Sequence, residues 1–166
     1  MSKVSLFALG GLDEDGKNMY VVEVDNSIFI LECGLKYPEK DQLGIEMIIP
    51  DFTYLKENEK RIKGVFITHG HDDVMAALPS LLKVIDVPIY TAPLTAILLE
   101  KLFKKEKITN YEIHRVKRNG SFKIDNFKIK TFGVTQSIMD GFGIAIETNE
   151  GYIVYSSEFI VDYDIK

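Results

Sequence analysis

The sequence predicts a mixed α/β protein, in which a sheet carries helices on one face. Short runs rich in Val, Ile, Phe and Tyr recur along the chain between turn residues, a pattern typical of strands. Helical periodicity is confined to the middle of the chain, with hairpins before and after it. The 166 residues, of which 46% are hydrophobic and 27% charged, have the size and composition of one globular domain.

Eight strands are predicted, and each end of the chain forms a hairpin. Asp25-Asn26 is a tight-turn sequence between two strands, and Asn149-Glu150-Gly151 lies between two others. The predicted strands are residues 4–9, 19–24, 27–31, 64–68, 88–90, 127–132, 142–147 and 152–155.

Three helices are predicted between the hairpins, over residues 52–61, 74–84 and 93–105. In the last of these, Leu94, Ile97, Leu98 and Leu102 fall on one face, as in a helix that packs against a core. Pro93 would occupy the first turn, where its missing N–H costs nothing.

Composition excludes several classes of protein. No apolar run approaches the roughly 20 residues that a membrane span needs, and the N-terminus lacks the pattern of a signal peptide, so we expect a cytoplasmic protein with no membrane partner. Cys33 is the only cysteine and is expected to be a small buried residue, so no internal disulfide forms. A net charge of -5 argues against non-specific coating of nucleic acid.

The stretch Thr68-His69-Gly70-His71-Asp72-Asp73-Val74 directly follows a predicted apolar strand. Ligands in such sheets gather beyond the carboxyl ends of strands, and side chains two apart on an extended segment project to the same side. His69 and His71 can therefore direct their imidazoles at one point, as zinc ligands do. The residues alone leave an alternative open, in which an aspartate caps the following helix and the histidines lie in a polar loop.

An ordered series of motifs resembles the N-terminal part of the ribonuclease J family of metallo-β-lactamase-fold nucleases. The motifs are Ala8-Leu9-Gly10-Gly11, Gly16-Lys17-Asn18, Leu43-Gly44-Ile45, Ile49-Pro50-Asp51, Tyr54-Leu55, Lys63-Gly64, Thr68-His69-Gly70-His71, Leu78-Pro79, Val87-Pro88-Ile89-Tyr90, Ser137-Ile138, Asp140, Ile153-Val154 and Glu158-Phe159. The resemblance implies the N-terminal half of an αββα sandwich, with residues 1–166 forming a partial metallo-β-lactamase domain. By the same resemblance, we expect the β-CASP and C-terminal domains of the family to be absent from this chain.

The resemblance also implies a metal centre. In the family, a His-x-His-x-Asp-His motif, a later histidine and a bridging aspartate hold two metal ions. By this resemblance His69 and His71 would be ligands of the first metal, and Asp73 a ligand of the second and a candidate catalytic residue. The last histidine of the motif is Val74 in this chain, and the later histidine is Gln136, which offers only an amide oxygen.

Two further positions of the family pattern are altered. The bridging aspartate corresponds to Glu158, which carries its charge one methylene further out, and an aspartate behind the site corresponds to Glu32. The resemblance implies zinc, and the altered positions lead us to expect at most one weakly bound metal per chain. The oxygen-rich set of Asp73, Gln136 and Glu158 would suit manganese or magnesium.

Two functional hypotheses follow from the resemblance. The first is a ribonuclease J-like protein of RNA processing and mRNA decay, acting on RNA in its full-length form as a non-catalytic or weakly active subunit beside an active ribonuclease J paralogue. The alternative is a one-metal or altered-metal RNA phosphodiesterase that uses His69, His71, Asp73 and Glu158. Half a sandwich would leave an apolar face uncovered, so the chain is also expected to self-associate.

A basic run remains outside these hypotheses. It comprises Lys101, Lys104, Lys105 and Lys107, with Arg115, Lys117 and Arg118 nearby. It could face RNA, but a solvated helix face is favoured because Glu100 and Glu106 interrupt it. His114 is expected to be a structural or surface histidine.

Overall fold

The structure is a computed structural model that describes residues 2–161 as three layers: helices, a six-stranded sheet and a four-stranded sheet. The first sheet has the strand order β1-β2-β3-β4-β5-β6 and is mixed, because the first two pairings are antiparallel and the other three are parallel. Its strands are β1 (Val4–Gly10), β2 (Met19–Val24), β3 (Ser27–Leu31), β4 (Ile62–Ile67), β5 (Ile89–Thr91) and β6 (Ile113–Arg115).

The second sheet is wholly antiparallel, with the order β10-β9-β8-β7. Both predicted hairpins are present: Asp25 has a φ of 54° in the turn between β2 and β3, and Gly151 begins the last strand. The strands of this sheet are β7 (Gly120–Ile124), β8 (Phe127–Gly133), β9 (Phe142–Thr148) and β10 (Gly151–Tyr155).

The helices are shorter than predicted, with one exception. The helix predicted over 93–105 is confirmed as α4 (Pro93–Lys105), whereas the one predicted over 52–61 is α1 (Thr53–Glu57) followed by a 3₁₀ helix (Glu59–Arg61). The prediction of one continuous helix over 74–84 is wrong. This region divides into α2 (Asp72–Met75) and α3 (Leu78–Leu82), because Pro79 lacks an N–H and clashes with a continuing preceding turn.

Two apolar cores hold the layers together. The first lies between the six-stranded sheet and the helices and includes Leu55, Leu78 and Phe103. The second lies between the two sheets and includes Phe29 and Phe142. The predicted sheet with helices on one face is therefore confirmed, and the four-stranded sheet covers its other face, as in the αββ part of an αββα sandwich.

Candidate metal centre

The segment that follows β4 brings the two candidate histidines to the carboxyl edge of the first sheet. β4 is buried along its last four residues, and His69, two residues beyond its end, is 1% exposed. His71 is half-buried and directly precedes α2. Glu158 reaches the same point from the segment after β10, with a side chain that is 57% exposed.

The side-chain donors of His69, His71 and Glu158 converge, and their candidate ligand atoms all lie within 4.8 Å of one another. His69 Nε2 is 3.0 Å from His71 Nδ1 and 3.9 Å from Glu158 Oε2. Two nitrogen ligands at a tetrahedral zinc ion are about 3.3 Å apart, given Zn–N bonds of about 2.0–2.1 Å. Two imidazoles and one carboxylate are also a known catalytic zinc set. The two imidazole nitrogens are already within a few tenths of an ångström of this spacing, and the exposed Glu158 carboxylate would move inward by up to about 1.5 Å to complete the set for one metal ion.

The buried imidazole of His69 is oriented by hydroxyl groups behind it. Thr68 Oγ1 is 2.9 Å from His69 Nδ1, and Ser157 Oγ is 2.7 Å from Thr68 Oγ1. When Nδ1–H donates to Thr68, Nε2 carries the free lone pair that a metal requires. Burial, and then the neighbouring His71, lower the pKa of His69 to about 4, so the ring is neutral near pH 7.

Glu32 forms the floor of the centre, just after β3. It is fully buried, has a φ of 65°, and accepts a hydrogen bond from the Thr68 N–H at 3.1 Å and another from the Thr68 hydroxyl. Burial raises the pKa of Glu32 to about 8, and the hydrogen bonds from Thr68 only partly oppose this rise. The residue behind the site is therefore a neutral acid near pH 7, linked to His69 through Thr68.

Asp73 and Val74 lie outside the converging group. Asp73 Oδ2 accepts a hydrogen bond from Asn18 Nδ2 at 3.1 Å, and Asp73 is absent from the group formed by His69, His71 and Glu158 among residues 2–161. Val74 is 1% exposed, so its side chain is part of the packed interior.

Gln136 lies at the rim of the centre, on the loop between β8 and β9. Its Nε2 is 3.5 Å from His69 Nε2 and donates to the backbone oxygen of Glu158 at 3.1 Å. Its Oε1 accepts from the Ser137 N–H at 2.8 Å. The side chain thus presents its nitrogen, and not its oxygen, to His69.

Sequence reasoning missed the polar residues that support the ligands: Asn18, Thr68 and Ser157. Thr68 could have been found, because it lies between a buried strand and His69, where an unpaired hydroxyl would be costly. Asn18 and Ser157 are distant in sequence from the residues they support, and no local pattern marks them.

A groove of about 730 Å³ lies beside the centre, and His71 and Asp73 are among the residues that line it. Its charged lining is mainly acidic and consists of Asp15, Glu39, Asp72 and Asp73, with Lys36 as the cation. Within this lining, the Tyr37 hydroxyl donates a hydrogen bond to Asp72 at 2.6 Å.

The fold and the paired histidines define a class of protein. The family described as the Metallo-beta-lactamase superfamily matches residues 12–148, and the chain belongs to this superfamily. Solved structures agree on the fold. A protein of unknown function from Enterococcus faecalis V583 has a TM-score of 0.73 at 17% identity, covering 95% of this chain and 44% of that one. The metallo-beta-lactamase fold protein YhfI from Bacillus subtilis has a TM-score of 0.62 at 14% identity, covering 93% and 62%.

Curated relatives confirm the resemblance to the ribonuclease J family. The protein named Ribonuclease J 2 in Staphylococcus epidermidis is 38% identical over 166 residues, which are 98% of this chain and 29% of that protein. Ribonuclease J 2 of Staphylococcus aureus is 38% identical over 163 residues, again 98% and 29%. The chain thus spans less than a third of the length of these relatives.

None of the helices within residues 2–161 has the length and apolarity needed to cross a membrane.

Proposed function

We propose that this chain is the β-lactamase-fold part of an RNA-processing protein that is non-catalytic or weakly active, and that it retains one metal position. The observation that carries the proposal is an asymmetry in the centre. His69, His71 and Glu158 converge, whereas the adjacent position offers the buried Val74 and an Asp73 that is bonded to Asn18.

One metal ion would be held by His69, His71 and Glu158. When bound, such an ion supplies a Lewis acid that polarises a phosphoryl oxygen. Thr68 holds the His69 ring in place. Glu158, which is more than half exposed, would supply the third ligand from the solvent side of the ion. A two-metal reaction needs a second ion about 4 Å away, and the packed Val74 supplies no ligand there.

The acidic groove supports weak activity. Its carboxylates at Asp15, Glu39 and Asp72 repel the phosphodiester backbone of RNA at close range unless metal ions neutralise them. With one ion in place of two, less of the negative charge is offset, so binding and hydrolysis of RNA at this groove are both disfavoured.

The partners and location belong to the same proposal. The name of these relatives, Ribonuclease J 2, supports RNA as the ligand of the whole protein. An active ribonuclease J paralogue as its partner and the cytoplasm as its location are further parts of the proposal. The β-CASP and C-terminal domains would lie outside residues 1–166, in the remainder of such a protein.

The first test is metal content. The protein is stripped with a chelator, reloaded with zinc or manganese, desalted and measured by mass spectrometry, in parallel with His69→Ala/His71→Ala. The chain has only three histidines, so His114→Ala is a matched control that should keep its metal. We expect about one ion per chain in the parent and in the control, and none in the double variant.

RNA hydrolysis by the same samples separates the two hypotheses. The proposal expects the parent to cleave RNA no faster, or only slightly faster, than His69→Ala/His71→Ala. Metal-dependent cleavage by the parent that the double variant lacks would instead establish the alternative, a one-metal or altered-metal RNA phosphodiesterase. That alternative is favoured by the completeness of the His69, His71 and Glu158 group.

We further propose that the isolated chain self-associates through its open sheet edges. Leu6 on β1 is 67% exposed and Val154 on β10 is 60% exposed, on either side of an apolar groove of about 440 Å³. Light scattering should give a mass above that of the monomer, and Val154→Lys should lower it. Val84→Lys, at a 44% exposed position outside this groove, is the matched control. A monomeric parent at moderate concentration would contradict the proposal.

A further inference from the structure

A ladder of aromatic rings crosses the first sheet and ends at its open edge. Phe66, Tyr90 and His114 are aligned partners on the adjacent strands β4, β5 and β6. The ring centroids of Phe66 and Tyr90 are 5.1 Å apart at 20°, and those of Tyr90 and His114 are 4.7 Å apart at 15°. Because β6 is the last strand of the sheet, His114 is the outermost ring, and its side chain is 43% exposed.

The end of this ladder opens into a cleft between the two sheets. Phe122 on β7, the edge strand of the second sheet, lies nearly parallel to Tyr90, at 5.4 Å and 14°. The cleft has a volume of about 470 Å³ and is lined by both of these rings and by His114. Flat aromatic surfaces that remain accessible in a cleft of this size suit a planar heterocyclic ring.

The rim of the cleft is basic, although the chain as a whole is acidic. Residues 113–124 contain Arg115, Lys117, Arg118 and Lys123 and no aspartate or glutamate, whereas the net charge of the chain is -5. The two acids that flank this segment are paired, Glu112 with His114 and Asp125 with Lys63. Lys117 and Lys123 line the cleft, are exposed, and take part in no ion pair among residues 2–161. Arg115 is paired with Glu100. Two uncommitted ammonium groups therefore flank the rings.

The cleft is also connected to the metal centre. Arg118 donates from its guanidinium to the backbone oxygens of Val134 and Gly141, at 2.6 and 3.1 Å. These residues begin and end the loop that carries Gln136. Arg118 directly follows Lys117, which lines the cleft, so the segment that borders the cleft is bonded to the loop that borders His69.

We propose that this cleft, which we call the stacking platform (Tyr90, His114, Phe122, Lys117 and Lys123), binds single-stranded RNA apart from the metal centre. An unpaired base stacks on the His114 ring, and Lys117 and Lys123 bind the phosphates on either side of that base. The identity of the polymer as RNA rests on the proposed function, whereas the stacking and the charge come from the platform. Glu112, 2.9 Å from His114 Nε2, holds the imidazole in position for stacking.

The platform is a different surface from the basic face of α4, which the sequence suggested as a possible RNA-binding surface. The lysines of α4 belong to the helical layer, on the other side of the first sheet from the ring ladder. Lys117 and Lys123 instead belong to the turn before β7 and to β7 itself. Sites for single-stranded nucleic acid usually combine aromatic surface with positive charge that is not paired within the protein. Each stacked base adds to the binding free energy, and any base can stack, so the sequence preference is low.

Fluorescence anisotropy with a short labelled oligoadenylate tests the stacking. His114→Ala should weaken binding by about 5-fold or more, the lower range for loss of one stacked base. His114→Phe removes the bond to Glu112 but keeps a flat ring, and it should bind within about 2-fold of the parent, since stacking is the larger contribution. Circular dichroism and thermal melting check that both variants fold.

Salt dependence tests the phosphate contacts. For single strands the slope of log K against log salt is about −0.7 per phosphate, so Lys117→Ala/Lys123→Ala should make the slope shallower by about 1.4. The matched control is Lys56→Ala/Lys60→Ala, which removes the same charge from α1 and the 3₁₀ helix, outside the cleft, and should leave the slope unchanged.

An abasic oligonucleotide of the same length completes the design, because it keeps the phosphates and lacks the bases. The parent should bind it more weakly than oligoadenylate, and His114→Ala should cause no further loss. Binding of oligoadenylate that is equal in the parent and in His114→Ala would overturn the platform. That result would leave the proposed function intact, because metal content and RNA cleavage are measured with the His69→Ala/His71→Ala protein.

Discussion

Replacing Glu32 by glutamine tests the buried acid beneath the candidate metal centre. The two side chains have nearly the same shape, and the glutamine amide can accept from the Thr68 N–H and donate to the Thr68 hydroxyl, so both hydrogen bonds are preserved. The substitution therefore removes a titratable group and keeps both bonds to Thr68, while any change in the bond from the Tyr155 hydroxyl to this side chain adds the same offset at both pH values. The part of its effect on stability that changes with pH should come from the proton of Glu32.

The magnitude follows from the pKa of this acid. In the folded protein the pKa of Glu32 is about 8, above the ordinary value of 4.5. The folded state then binds the proton more tightly than the unfolded state, so stability is full below pH 4.5 and is lost as the pH rises towards 8. At about 1.4 kcal/mol per pH unit, this loss is about 3 kcal/mol between pH 5 and 7.5.

Urea unfolding followed by circular dichroism at these two pH values measures the difference. Glu32→Gln has no such proton, so its stability relative to the parent should rise by about 3 kcal/mol from pH 5 to pH 7.5. For a domain of this size that corresponds to a relative shift in melting temperature of about 6 to 12 °C. Glu57→Gln, at an exposed position on α1, is the matched control, and its difference from the parent should not change with pH.

A difference between Glu32→Gln and the parent that stays constant within about 1 kcal/mol across this pH range would refute the reasoning. Such a result would mean that Glu32 is ionised in the folded protein despite complete burial, so that the contacts from Thr68 outweigh the cost of removing its charge from water.

Two further predictions concern the elements around the centre. Gly34→Ala should destabilise the protein by about 3 kcal/mol or more in urea unfolding, because an added Cβ would lie 1.5 Å from the Asp73 backbone oxygen. Gly44→Ala, with open space around the Cβ but a φ of 83°, should cost only about 1 kcal/mol, and equal losses would contradict the packing argument. Gln136→His should retain more zinc than the parent at a fixed chelator concentration. The Gln136 side chain already places its Nε2 3.5 Å from His69 Nε2, so an imidazole at this position would be close to the same ion. Unchanged retention would mean that the loop cannot direct an imidazole into the centre.

The strands and α4 were predictable because their signals are local. β2 and β3 have the predicted bounds, since each is an apolar run limited by turn residues. The two missed strands, β6 and β7, are short and largely polar. They lie at sheet edges, where one side of the strand needs no apolar partner, so pairing with a neighbour determines their conformation more than composition does.

The candidate metal centre was predictable in part for the same reason. His69 and His71 are two apart on an extended segment, so their convergence follows from backbone geometry. Glu158 is 89 residues further along the chain than His69, and its approach depends on how the second sheet packs on the first. Only the family resemblance linked the two. The orientation of Gln136 depends on hydrogen bonds to Glu158 and Ser137, which no sequence pattern specifies.

Val74 stands where the family resemblance implies a metal ligand, and its surroundings show how the fold accommodates an apolar side chain there. Its backbone supports the centre whatever its side chain is, since Val74 N–H donates to the His71 oxygen at 3.2 Å and its carbonyl accepts from Cys33 N–H at 2.7 Å. These bonds tie α2 to the segment after β3 and hold His71 in position. The side chain is free to serve packing, and burial of a valine stabilises a protein by about 2 kcal/mol. A residue that cannot bind a metal can therefore stabilise the domain while the neighbouring histidines keep their geometry, and under the proposed function this is how the fold would keep one metal position without the second.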